Sequence, residues 1–139
     1  MCASVPSRIL LIEDNPADAF LVKEALRTHG IAFDLNWVSD GEEAVGHLST
    51  FLSAQSAPAL ILLDLNLPKV DGKEVLSKIR SNPNLAATKV AILTSSDSPH
   101  DRRDTANLGA NCYIKKPPTL EEFLGVGGTI KHLLSDGDC

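Results

Sequence analysis

Leu60-Ile61-Leu62-Leu63-Asp64 is a run of four aliphatic residues that ends directly on a carboxylate. A continuous apolar tetrad bounded by break signals is the pattern of a strand buried on both faces, as in a parallel sheet. Upstream, Gln55-Ser56-Ala57-Pro58 supplies the break; downstream, a loop through Pro68 and Gly72 leads to an amphipathic stretch with Val75, Leu76 and Ile79 on one helical face. The same strand-then-helix phrase recurs on either side. Arg8-Ile9-Leu10-Leu11-Ile12 runs into Glu13-Asp14, after which Asn15 is an N-cap, Pro16 the first helical position and Asp18 a first-turn acid, with Leu21, Val22, Ala25 and Leu26 sharing a face up to Gly30. Phe33 to Val38 reads as a strand, and Asp40 caps a second helix carrying Ala44, Val45, Leu48 and Leu52. Lys89 to Leu93 ends in Thr94-Ser95-Ser96; Ser98-Pro99-His100-Asp101 starts a helix poor in large apolar residues that stops at Gly109. Cys112-Tyr113-Ile114 is the fifth strand, and Thr119-Leu120-Glu121-Glu122 is a capping box opening the last helix.

Five βα units predict an α/β fold, a doubly wound, five-stranded parallel sheet with helices on both faces. The expected organisation is one domain over residues 1–139, with its core at about 8–134 and no output domain. The chain has 139 residues, with 13 Lys and Arg against 18 Asp and Glu and a net charge of −5. Such acidity, without a basic cluster, argues against a nucleic-acid surface. No apolar run approaches the roughly 20 residues of a membrane span, and residues 1–14 do not resemble a signal peptide. A cytoplasmic protein is expected. Cys2, Cys112 and Cys139 are an odd set with no metal-ligand spacing, so no disulfide staple is expected and Cys112 reads as a small buried hydrophobe. His29, His47, His100 and His132 fall on separate elements, which argues against a shared metal or catalytic role.

In a parallel sheet all strand carboxyl ends meet at one edge, so Glu13, Asp14, Asp64, Thr94 and Lys116 are expected to converge. Carboxylates gathered there repel one another unless a cation sits among them. A hard divalent ion suits such a group, and a nearby hydroxyl and ammonium suit phosphoryl oxygens. That chemistry is phosphoryl transfer, with one carboxylate as the nucleophile.

These residues resemble a known family. Glu13-Asp14, Asp64, Thr94 and Tyr113-Ile114-Lys115-Lys116-Pro117, in that order at successive strand ends, look like the receiver domain of two-component response regulators. The resemblance implies the flavodoxin-like strand order 2-1-3-4-5. It implies that Asp64 accepts a phosphoryl group from a phosphohistidine on a sensor histidine kinase or a His phosphotransfer protein. It implies Mg²⁺, or Mn²⁺, held by Glu13, Asp14, Asp64 and the backbone carbonyl of Asn66. Lys116 would contact the phosphoryl group, its bond to Pro117 being often cis in the family. Thr94 and Tyr113 would be the switch residues, and Asn66 and Ser96 would tune phosphoryl lifetime. Glu13 stands where many relatives carry Asp.

The start Glu-Asp-Asn-Pro-Ala-Asp, the long stretch between the second strand and Asp64 (an extended second helix or loop) and the lack of an output domain resemble small stand-alone regulators paired with bacterial phytochromes or hybrid kinases. Signalling would then pass by docking to a downstream protein. A homodimer through the helix 4, strand 5 and helix 5 face stays open. So does the role of Gly125, Gly127 and Gly128, which fall inside the last helix and leave it frayed, kinked or closely packed on a partner. Two other readings compete. A phosphorylation-independent adaptor would use the fold only for docking, and a phosphatase-like enzyme would need a second Asp where Asn66 stands.

Overall fold

The computed structural model describes residues 5–135 and Gly137. Five strands, β1 (Ser7–Ile12), β2 (Phe33–Val38), β3 (Leu60–Leu63), β4 (Lys89–Thr94) and β5 (Cys112–Lys115), alternate with five helices, α1 (Pro16–Thr28), α2 (Gly41–Leu48), α3 (Gly72–Ser81), α4 (Pro99–Asn107) and α5 (Leu120–Leu134). All strand pairs are parallel and the sheet order is β2-β1-β3-β4-β5, the order expected from the sequence.

Strand alternation divides the core in two. Ile9, Leu11, Leu60, Leu62, Ala91 and Leu93 face α1 and α5, which contribute Val22, Leu26, Phe123, Val126 and Ile130. Leu10, Ile12, Ile61, Leu63, Val90 and Ile92 face the other way, toward Ala44 and Leu48 of α2 and Val75, Leu76 and Ile79 of α3. Both faces of β1, β3 and β4 are therefore covered, which is why those strands read as unbroken aliphatic runs. Helix starts follow the capping signals: Asn15 accepts from Ala17 N–H, Asp40 from Glu43 N–H, and Ser98 from Asp101 N–H. At α5 Thr119 accepts from Glu122 N–H at 3.2 Å, so only this half of the expected capping box is made among the described residues.

Two expectations need correction. α2 ends at Leu48, and Leu52, expected on its buried face, is 84% exposed. The Ser49 and Thr50 hydroxyls donate to the carbonyls of Gly46 and His47, closing the last turn, and Phe51 rather than Leu52 packs against the core. The long stretch before β3 is thus a loop with a single 3₁₀ turn (Ala54–Ser56), clasped by the Arg8 guanidinium on the carbonyls of Gln55, Ser56 and Ala57. Cys112 is buried in the α1–α5 core as expected, yet it is disulfide-bonded. Pairing depends on distance in space, which spacing along the chain does not report. Cys2 and Cys139 lie outside the described residues.

Candidate functional site

The carboxyl ends of β1, β3 and β5 bring their polar residues to one edge. Glu13 follows β1 and is held by backbone on both sides: its N–H donates to Val38 O, and its carbonyl accepts from the Trp37 indole at 2.7 Å. Its carboxylate turns inward and is 1% exposed, whereas Asp14 next to it is exposed. Asp64 follows β3 and is 4% exposed, with Oδ1 accepting from the Asn66 N–H at 3.0 Å. Gly72, the first residue of α3, makes room behind it. A Cβ there would lie 2.6 Å from the Asp64 carbonyl oxygen, so only glycine lets α3 begin so close to the acid.

Lys116 closes the pocket from β5. Its ammonium lies 2.7 Å from Glu13 Oε2, 2.8 Å from Asp64 Oδ2 and 2.8 Å from Asp18 Oδ2. Lys115 points the other way, toward Asp97 at 3.7 Å. The Lys116–Pro117 bond is trans, since the described residues contain no cis peptide.

Electrostatics separate the two buried acids. Burial pushes the Glu13 carboxyl up to about 7, and the Asp64 charge adds to that, against the pull of Lys116. Burial also opposes ionisation of Asp64, but the Lys116 and Asn66 hydrogen bonds overcome it and hold that carboxyl below its ordinary value. Lys116, despite burial, is held above the usual lysine range by Asp18, Asp64 and Glu13. The pocket therefore offers an ionised Asp64 beside a fixed ammonium.

Glu13, Asp14 and Asp64 each present an oxygen, and the three lie within 4.8 Å of one another. Three oxygen donors of this kind fit a hard divalent cation.

The remaining predicted residues form a line leading away from Asp64. Thr94 is fully buried, and its Oγ1 accepts from Asn66 Nδ2 at 3.5 Å and from Ser96 N–H at 3.4 Å. The Tyr113 hydroxyl donates to Ser96 O at 2.9 Å, and its half-buried ring lies 4.5 Å from the Arg102 guanidinium. Ser96 Oγ in turn donates to Asp101 of α4, and Asp101 is paired with Lys73 of α3 at 2.7 Å. Ser96 and Tyr113 thus meet the acid pocket through Thr94 rather than directly.

Sequence reasoning missed three participants: Asp18, Trp37 and Lys73. Asp18 was legible in part, since a first-turn acid of α1 must stand at the same sheet edge as the end of β1.

The sequence pattern of the response regulator receiver domain matches residues 9–126. The response regulator Rcp1 of Synechocystis sp. (strain ATCC 27184 / PCC 6803 / Kazusa) is 42% identical over 120 residues, 85% of this chain and 82% of that protein. Among solved structures, the phosphorylated cyanobacterial phytochrome response regulator RcpA superimposes with a TM-score of 0.84 at 37% identity, covering 94% of this chain and 95% of that one. The Mn²⁺-bound form of Rcp1 does so at 0.79 and 39%, covering 91% and 92%. Sequence pattern, sheet order and the acidic edge agree, and this chain belongs to the response regulator receiver domain family.

Proposed function

We propose that this chain is a phosphoacceptor switch in which Asp64 takes a phosphoryl group from a phosphohistidine. The observation that carries the reading is the Lys116 ammonium, 2.8 Å from Asp64 Oδ2, beside an acidic group able to hold a divalent ion. An Asp64 carboxylate oxygen attacks phosphorus, the O–P bond forms as the P–N bond of the donor breaks, and the imidazole leaves with the electron pair and takes up a proton. Glu13, Asp14, Asp64 and the Asn66 carbonyl are the residues that would hold Mg²⁺ or Mn²⁺. When bound, the ion supplies positive charge to the phosphoryl oxygens. Lys116 supplies a second positive charge from the β5 side, and its network of carboxylates fixes it there before the reaction begins.

The Thr94 hydroxyl is the phosphoryl partner in the switched state, and its departure from Asn66 and Ser96 frees the Ser96 carbonyl and Tyr113 to rearrange. Asn66 and Ser96, small and uncharged, stand where side chains tune water access to the acyl phosphate and so its lifetime. α4 is suited to respond, because Thr105 is its only buried residue. The donor is a sensor histidine kinase or a His phosphotransfer protein, and the phytochrome named with RcpA makes a phytochrome-type kinase the first candidate. We propose a cytoplasmic regulator that turns over no separate substrate, binds no nucleic acid or membrane and signals by docking. The face of α4, β5 and α5 is available to a downstream protein or a second copy. Among the described residues no helix is long and apolar enough to cross a membrane.

Acetyl phosphate with Mg²⁺ should add one acid-stable, base-labile phosphoryl group, detected as a mass increase on the intact chain. Asp64→Asn should lose it. Persistence of the label in that variant would overturn the assignment.

A further inference from the structure

The Lys116 ammonium lies within 2.8 Å of three carboxylates, of which Glu13 and Asp64 belong to the group able to hold a divalent ion and Asp18 does not. Asp18 comes from the first turn of α1 and is 22% exposed, against 1% and 5% for the Glu13 and Asp64 side chains. The place of Asp18 is set by the start of α1. Asn15 caps α1 on the Ala17 N–H, and Pro16 fixes the first helical residue.

An ammonium and a divalent cation that draw on the same two carboxylates compete, because oxygen lone pairs are shared and the two positive charges repel. Glu13 Oε1 already accepts from the Asn15 N–H and Asp64 Oδ1 from the Asn66 N–H. Lys116 takes the other oxygen of each. Asp18 Oδ2, at 2.8 Å on the α1 side, is a third carboxylate that shares the ammonium's charge and so weakens its hold on each member of that pair.

We infer that Asp18 is the positioning residue for Lys116, sharing the ammonium with Glu13 and Asp64 so that a divalent cation can displace it from that pair while it stays within reach of Asp64 Oδ2. The inference rests on the phosphoacceptor reading above. Without Asp18 the ammonium's charge falls on two partners alone, so a metal ion must displace a stronger competitor.

The test is a double-mutant cycle on the full chain, with the Mg²⁺ dissociation constant measured by titration calorimetry. Asp18→Asn should weaken Mg²⁺ binding about threefold to fivefold, the range of a partly exposed ion pair. Lys116→Met should bind Mg²⁺ more tightly than the natural chain, and adding Asp18→Asn to it should change affinity by less than about twofold. Asp18→Glu, which keeps the carboxylate, should recover most of the loss. Equal weakening in both Lys116 backgrounds would make Asp18 one more diffuse negative charge and would overturn the inference. Asp18→Ser serves the same cycle if the amide lowers the melting midpoint. A natural chain that binds no Mg²⁺ at millimolar concentration would overturn the phosphoacceptor reading itself, an outcome distinct from an additive cycle in a chain that does bind.

Discussion

Glu13 is the weaker acid of a buried pair, and its environment ties stability to pH. Burial pushes its carboxyl from the ordinary 4.5 to about 7, with the Asp64 charge adding to the push and Lys116 opposing it. Between those two values the folded chain keeps a proton that the unfolded chain has released. Without metal, stability therefore falls as pH rises from about 4.5 through about 7 and levels off above that. A shift of this size corresponds to at most about 3 kcal/mol. Asp64, held below its ordinary value, has the opposite dependence and loses its contribution only at acid pH. Glu13→Gln should remove the neutral-range slope, so that melting midpoints measured in EDTA at pH 5 and pH 8 differ less than in the natural chain. An unchanged slope would assign the titration to another group. The sequence shows two adjacent acids after β1, but not that Glu13 turns inward while Asp14 stays in water. That division comes from Trp37 and Val38 of β2, whose bonds to the Glu13 backbone set its direction from 24 residues away.

At the level of the elements, α5 shows how three similar residues acquire different roles. Gly125, Gly127 and Gly128 look alike in the sequence, and each weakens a helix interior relative to alanine. In the fold, α5 lies against α1 so closely that a Cβ on Gly127 would strike the Ala25 carbonyl and the His29 ring, whereas one on Gly125 would meet nothing within 4 Å. His29 fills the gap beside Gly127 and reaches the Leu124 carbonyl at 3.1 Å. Gly127→Ala should therefore destabilise the chain by about 1–3 kcal/mol through overpacking. Gly125→Ala should stabilise it by about 0.5–1 kcal/mol, because the helix gains propensity without a new clash. Urea denaturation of both variants checks the pair, and equal signs would show that helix propensity rather than packing against α1 governs this face. α4 is the contrasting element. With Thr105 as its only buried residue, it is tied to α3 by the Lys73 ion pairs to Asp101 and Asp104, at 2.7 and 2.9 Å. Its poverty in apolar residues was readable, but the Lys73 anchor was not, because it joins two helices whose relative placement depends on the finished sheet.

Across the whole molecule, the parallel sheet explains why so much of the site could be anticipated. Once Leu60–Leu63 and its counterparts are taken as buried parallel strands, Asp64, Glu13, Asp14, Thr94 and Lys116 must gather at one edge, and Lys116 indeed reaches Glu13 and Asp64. What the pattern left hidden depends on contacts between elements distant along the chain: Asp18 on Lys116, Trp37 on Glu13, and the turning of Leu52 into solvent where α2 ends early. A site built at the rim of two cores, with three carboxylates close together, links metal binding to global stability. An ion that binds only the folded chain stabilises it by RT ln(1 + [L]/Kd), about 1.4 kcal/mol at ten times the dissociation constant. For a domain of this size that raises the melting midpoint by about 3–5 °C. Asp14 is the proposed ligand through which to test this, because it is exposed and stands outside the Lys116 ion pairs, so its loss leaves the buried network intact. Asp14→Asn should melt within about 2 °C of the natural chain in EDTA and lose most of the Mg²⁺-dependent rise at matched ionic strength. Calorimetric scans with and without Mg²⁺ measure both quantities. An equal rise in the variant would move the ion away from the Glu13, Asp14 and Asp64 edge, and with it the chemistry assigned to Asp64.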